Sequence, residues 1–343
     1  MSKPGKTARK AKPPRRPGRL RLWWTQLDPD RRRGGFFLVG WVVIGVLAAA
    51  GAVIGMQKLQ QRVIQRRYAG AAGAATVRVT AVPAWMPASL AKYVTEMITP
   101  PKASLSDPEL ARKVYDLAMH NPLVRQANRV EVRPSAKGPG SVVEVDLEFR
   151  QPFARVRSGA DHLYVDREGF CLPAGLVPMY VLSLQDNQTR AVRQVCYQAL
   201  GEVPEAWRAA ARPIHYVTID GVQKSPPPPG WKWPAADLDA GLKLIELIST
   251  KPYYAQIAAV DVRNHAGRIT RNEPELRMYA QIAAGRPTDI RFGRFPKPGS
   301  DWVVSPQRKM WYLDGYAANH NGVLAGINSY IELRYDNPHV SLN

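Results

Sequence analysis

The chain has 343 residues, 45% of them apolar, and a formal net charge of +20. This is enough apolar material for true cores and enough length for about two domains with extensions, so a wholly disordered or fibrous chain is excluded. About half of the excess charge lies in the first 35 residues, and the mildly basic remainder excludes a nucleic-acid-binding surface spread over the whole protein.

Residues 1–35 are rich in Lys, Arg and Pro, with only Asp28 and Asp30 as acids. That composition predicts a disordered basic tail. Its charge either meets anionic lipid head groups or an acidic partner, or serves only to set topology. Phe36–Met56 carries no charge and no proline. At about 1.5 Å per residue such a stretch reaches about 30 Å, the thickness of a bilayer core, and predicts a single transmembrane helix at 36–56. The more positive flank is the N-terminal one, so the tail is expected in the cytoplasm and the large C-terminal part outside, with Trp23 and Trp24 at the interface. A cleaved signal peptide is the rival reading, opposed by the long apolar core and the long tail before it. Residues 57–75 read as a polar, Ala/Gly-rich stalk.

A first folded module is expected over 76–150. Val77–Val82 alternates like a strand, Ala88–Ile98 reads as a short helix, and Ser106-Asp-Pro-Glu is a helix start leading into an apolar face of Leu110, Val114, Leu117 and Ala118. Val130–Val132 and Val142–Arg150 read as strands around the punctuated turn Pro134–Gly140. In the second strand Val143, Val145, Leu147 and Phe149 alternate with Glu144, Asp146, Glu148 and Arg150, giving one buried and one wet face. Strand–helix–helix–strand–strand describes a small α/β module with a three-stranded sheet.

Residues 151–343 are expected to form a larger, mostly antiparallel α+β domain. His162–Leu172 reads as a hairpin around Glu168-Gly169. Asp237–Ile248 is an amphipathic helix with Leu238, Leu242, Ile245 and Ile248 on one face. Strands are predicted at Ala259–Arg263, Leu276–Ile282 and Asp289–Phe292, a helix near Ser305–Asp314, and a last strand at Tyr330–Tyr335.

No local motif carries chemistry. Phosphate-binding glycine loops, His-Glu-x-x-His and Gly-x-Ser-x-Gly are all lacking, and the six histidines have no ligand spacing. Asp237 and Asp239 sit at a helix start, where acids complement the helix dipole; this role is preferred to paired catalytic carboxylates. Cofactor, metal and small-molecule substrate are therefore expected to be none. Cys171 and Cys196 lack Cys-x-x-Cys spacing; they form one disulfide in an oxidising compartment or remain two buried thiols. Pro226–Pro229 followed by Gly-Trp-Lys-Trp predicts a polyproline II segment, read as a partner's docking peptide or as a stiff surface linker.

Four stretches together resemble one family. Arg150-Gln-Pro-Phe-Ala154 is similar to an Arg-x-Pro-x-Ala joint between two domains, and Tyr164–Gly169 is similar to a Val-Asp-x-x-Gly hairpin. Asp289–Arg294 ends like a Leu-Gly-Arg strand, and Tyr330-Ile-Glu-Leu-Arg-Tyr-Asp336 resembles Tyr-Val-Asp-Leu-Arg-Tyr-Asp. Their order and spacing, behind the expected membrane segment, resemble the bacterial cell-division family FtsQ/DivIB, in which a POTRA module precedes a second domain. The Pro226–Trp233 segment departs from that family's pattern. The resemblance implies a non-enzymatic scaffold in the inner membrane at the division septum, with its large part in the periplasm. It implies that the first module docks partners of FtsK type and that the second docks the FtsB–FtsL pair by strand addition. Carried over to matching positions, the partner-binding residues are Arg294, Tyr330, Ile331, Glu332, Leu333, Arg334, Tyr335 and Asp336. A POTRA-bearing component of envelope protein export or assembly is the alternative, and a membrane-anchored cell-wall enzyme a third.

Overall fold

A computed structural model of the chain describes residues 41, 43–59, 62, 75–101, 107–134, 141–185, 192–281, 286–300, 302–336 and 339–340. The chain divides into two units, Met1–Ala69 and Gly70–Asn343. In the first, residues 43–59 are helical. Here the sequence expectation of a single transmembrane helix is corrected: among the described residues no helix is long and apolar enough to cross a membrane. The continuous described run 43–59 carries Lys58 and is shorter than the ~20 predominantly apolar residues that a span requires. The tail 1–35 and nearly all of the stalk lie outside the described residues.

The second unit opens with β1 (Thr76–Val79), α1 (Ala88–Met97), α2 (Leu110–His120), β2 (Val124–Pro134) and β3 (Ser141–Phe149). The strands form a mixed sheet in the order β1-β3-β2, with β1 parallel and β2 antiparallel to β3. Period-2 alternation sets the faces: Val143, Val145, Leu147 and Phe149 are buried, and α1 and α2 add Leu90, Val94, Leu110, Val114 and Ala118. Leu117, expected on the same face, is exposed. α2 starts at Leu110 rather than at Ser106. Asp107 instead makes an Asx turn, its carboxylate accepting from Glu109 N–H at 2.9 Å.

The remainder is built on a nine-stranded sheet. In chain order its strands are β4 (Ala154–Ser158), β5 (Asp161–Val165), β6 (Cys171–Leu172), β10 (Thr218–Asp220), β11 (Ile257–Asp261), β12 (Leu276–Ala280), β13 (Thr288–Gly293), β14 (Tyr330–Glu332) and β15 (His339–Val340). Their spatial order is β15-β14-β13-β12-β11-β10-β4-β5-β6. Among the described residues most neighbouring strands pair antiparallel, as expected, but the sheet is mixed: β10 runs parallel to both β4 and β11, and β13 runs parallel to β14. The reason lies in two crossovers that sequence patterning read as separate helices. α3 (Ala236–Ile248) links β10 to β11, and α4 (Pro306–Asn319) links β13 to β14.

Both helices pack on one face. Val156, Ile219, Val260, Met278, Ile290 and Ile331 of the strands share a core with Leu238, Leu242 and Ile245 of α3 and Met310 and Leu313 of α4. The other face is polar by the same alternation. Asp220, Asp261, Arg277, Arg291 and Glu332 stand in register across five strands. Two neighbouring pairs in that row are like-charged, which is unfavourable unless answered. Each is answered from beside it: Arg157 Nε lies 3.0 Å from Asp220, Arg263 clasps Asp261, and Asp289 sits between Arg277 and Arg291 at 3.1 and 3.0 Å.

A small antiparallel sheet, β7 (Tyr180–Gln185), β8 (Val192–Tyr197) and β9 (Arg212–Pro213), lies between β6 and β10 in the chain, with strand order β8-β7-β9. The two modules of this unit are joined by a buried ion pair. Arg150 Nη1 meets Asp166 Oδ2 at 2.8 Å, its guanidinium stacked 3.5 Å from the Phe170 ring, while Asp166 Oδ1 accepts from the N–H groups of Glu168 and Phe170 at 2.9 Å. The carboxylate shapes the turn and the arginine ties the end of β3 to it.

Candidate functional site

α4 fixes one wall of the site. Ser305 caps it, its hydroxyl accepting from Arg308 N–H at 3.2 Å with Pro306 at the first position, an arrangement that contributes about 1 kcal/mol. The helix then drops Lys309 beneath the end of β13. Lys309 is 1% exposed, and its Nζ donates to the carbonyls of Phe292 at 2.7 Å and Arg294 at 2.9 Å, 4.3 Å from the Phe292 ring centre. Burial, reinforced by the nearby Arg294 charge, pushes its pKa down to about 8, although Glu332 and Glu275 act the other way.

Above it lies a cleft of about 520 Å³ lined by Glu275, Arg294, Trp302, Lys309, Arg334 and Tyr335 among others. The Arg294 guanidinium sits 4.2 Å from the Trp302 ring centre and 3.5 Å from the Glu275 carboxylate. Arg334 binds Glu332 in a two-pronged pair, both bonds 2.8 Å, and donates to the Asn272 carbonyl at 2.6 Å. Gly293 makes room for it. Its φ is +84°, and a Cβ there would lie 2.7 Å from Arg334 Cγ. Tyr335 is 54% exposed and Trp302 75% exposed, so two large aromatic rings stand open beside two guanidiniums.

The structure therefore brings Arg294, Arg334 and Tyr335 to one cleft. It places the other sequence-derived residues differently. Ile331, Glu332 and Leu333 are buried, Tyr330 is half-buried with the Arg291 guanidinium 4.1 Å from its ring, and Asp336 is exposed at the rim, where its carbonyl accepts from Tyr312 and its carboxylate lies 3.8 Å from Arg308. The strand itself is shorter than expected, and its outer edge is not open: Ile331 pairs with Val340 and Glu332 with His339. Among the described residues β15 is the outermost strand at this end.

Sequence reasoning missed Trp302, Lys309, Glu275 and Gly293. Only Gly293 left a signal, a glycine between Phe292 and Arg294 at a strand end, where a positive φ is common. Elsewhere, Asp237 is structural. Burial raises its pKa, but the Arg268 bond at 2.6 Å and the N–H groups of Gln223 and Leu238 outweigh this and hold it below the ordinary value. Cys171 and Cys196 are free and buried. Among the described residues no group of three His, Cys, Asp or Glu is placed to hold a metal ion.

Compared with protein-family models and with curated proteins, the chain matches none of them.

Proposed function

We propose that this chain is a non-enzymatic docking scaffold of the bacterial cell-division machinery, of the FtsQ/DivIB kind, working at the division septum. The observation that supports this reading is the meeting of Arg294, Arg334 and Tyr335 in one cleft just past the ends of β13 and β14, the latter paired with β15, the outermost strand there among the described residues. An extended segment of the FtsB–FtsL pair pairs with β15, or replaces it against β14, and satisfies main-chain groups at that edge. Its side chains enter the cleft, where Arg, Trp and Tyr supply the anchors that dominate interface energetics. The first module, with its separate three-stranded sheet, docks a partner of FtsK type.

The test is capture of the purified FtsB–FtsL pair by wild type and by the Arg294→Glu, Tyr335→Glu double variant. Circular dichroism establishes that both are folded. Binding by wild type and at least tenfold weaker binding by the variant are expected. Equal binding by the two, or no binding by wild type, overturns the proposal. A fluorescent fusion should collect at the septum of dividing cells, and even distribution over the envelope would count against it.

A further inference from the structure

The Pro226–Trp233 segment is pinned at one end and bare at the other. Gly230 N–H donates to the Cys171 carbonyl at 2.8 Å, Cys171 N–H to the Trp231 carbonyl at 3.0 Å, and Trp233 N–H to the Gly169 carbonyl at 2.8 Å. Trp233 is 1% exposed and its indole N–H donates to the Lys224 carbonyl at 3.1 Å, which closes the segment on itself. Pro228-Pro-Gly-Trp231 forms a turn, with Trp231 N–H donating to the Pro228 carbonyl at 3.2 Å and Gly230 at φ +88°. Gly230 also lies against Pro122 of the first module, where a Cβ would come within 3.1 Å of the proline ring.

What this frame holds out is unusual for a loop with a structural role alone. Pro226, Pro228 and Pro229 are exposed, and Trp231 is 68% exposed, while the neighbouring Trp233 is fully used in the core. A packing role accounts for Trp233 but not for Trp231. Exposed Lys224 and Lys232 flank the run. Consecutive prolines have fixed φ and no N–H, so no partner can read them by adding a strand. The surface that reads such a run is a groove lined with aromatic rings, which exploits the small entropy loss of a preformed polyproline II helix.

We infer that residues 226–231 are a second docking element, presented rigidly by the fold to a partner domain with an aromatic-lined groove rimmed by carboxylates. The aromatic lining fits the prolines and Trp231, and the carboxylates complement Lys224 and Lys232. The element is separate from the β15 cleft and does not depend on its assignment.

The experiment measures binding of the full chain to a panel of purified SH3, WW and EVH1 domains by titration calorimetry, in four forms: wild type, Trp231→Ala, Pro226→Ala with Pro229→Ala, and Arg294→Glu with Tyr335→Glu. At least one domain with an acidic groove rim should bind wild type. Both the Trp231→Ala and the double-proline forms should weaken that binding about tenfold or more, and the cleft variant should leave it unchanged. Trp231→Ala alters an exposed side chain and should keep the fold, so it stays informative if the proline variant does not fold. The inference is overturned if no domain binds wild type, if Trp231→Ala binds as wild type does, or if the cleft variant abolishes binding. It is also overturned if Trp231 proves to bind anionic lipid vesicles instead.

Discussion

Lys309 offers a quantitative test of how the cleft lined by Arg294, Arg334 and Tyr335 is built. Its amine is 1% exposed and its pKa is held at about 8, against 10.5 for a free lysine. In the unfolded chain the ordinary value returns. Between pH 8 and 10.5 the unfolded state therefore keeps a proton that the folded state has already released, and the contribution of this residue to stability rises with pH across that window. At about 1.36 kcal/mol per pKa unit the full gain is about 3 kcal/mol, most of it reached by pH 10. The neutral amine still has N–H groups for the carbonyls of Phe292 and Arg294, so losing the charge does not undo the packing. Burial also raises the pKa values of Cys171, Cys196, Tyr216 and Tyr253, so their unfolded forms lose protons first and their contributions fall with pH in the alkaline range, equally in wild type and in a Lys309 variant. Urea unfolding at pH 7, 8, 9 and 10, followed by tryptophan fluorescence, reads the profile. The stability of wild type relative to Lys309→Met, which has no amine to titrate, should rise by about 2–3 kcal/mol from pH 7 to pH 10. Parallel profiles for the two proteins would refute the argument that this ammonium is held in the cleft floor at a desolvation cost.

Three further outcomes follow from the geometry. Asp166→Ala strips Arg150 of its 2.8 Å partner while the arginine stays buried, and should cost about 3–5 kcal/mol in urea unfolding; Asp166→Asn, which keeps an acceptor for the turn, should cost less. Gly293→Ala places a Cβ at φ +84° and 2.7 Å from Arg334 Cγ, so a loss of about 1–3 kcal/mol is expected, together with weaker capture of the FtsB–FtsL pair through displacement of Arg334. Burial pushes the Cys171 thiol up to about 11, with the Asp166 charge adding to it, and burial also raises Cys196, so neither should react with Ellman's reagent at pH 8 until denaturant is added. Rapid labelling of the native protein would contradict the burial of these thiols.

Some of this fold was legible because one signal dominated. The alternation of Val143, Val145, Leu147 and Phe149 against charged neighbours could satisfy only a strand, and the stripe Leu238, Leu242, Ile245 and Ile248 only a helix; all eight are buried. β4 and β10 were missed because each is short and half of its residues point into polar partners: Arg155 lies against Thr218 and Arg157 against Asp220, which hides the apolar residues between them. Parallel pairing was missed because direction is set by the crossovers through α3 and α4, which no local pattern records. The membrane expectation rested on an uncharged run between basic flanks, whereas the described helical run 43–59 is shorter than a span and includes Gln57 and Lys58. At the docking cleft the strand-end motifs pointed to Arg294, Arg334 and Tyr335. Trp302 and Lys309 arrive from a loop and a helix whose placement only the tertiary fold determines.

The proline strap has a consequence for assembly. Cys171 presents its N–H and carbonyl away from β5, and both are taken by residues 230 and 231. Beyond them the strap continues as four prolines that offer no amide hydrogen to a newcomer. One margin of the nine-stranded layer is thus blunted, while among the described residues the opposite margin is formed by the two residues of β15. A layer that can be extended from only one side cannot propagate copy upon copy into a ribbon. Such a platform can take one guest strand without seeding a fibre, even where many copies are crowded together.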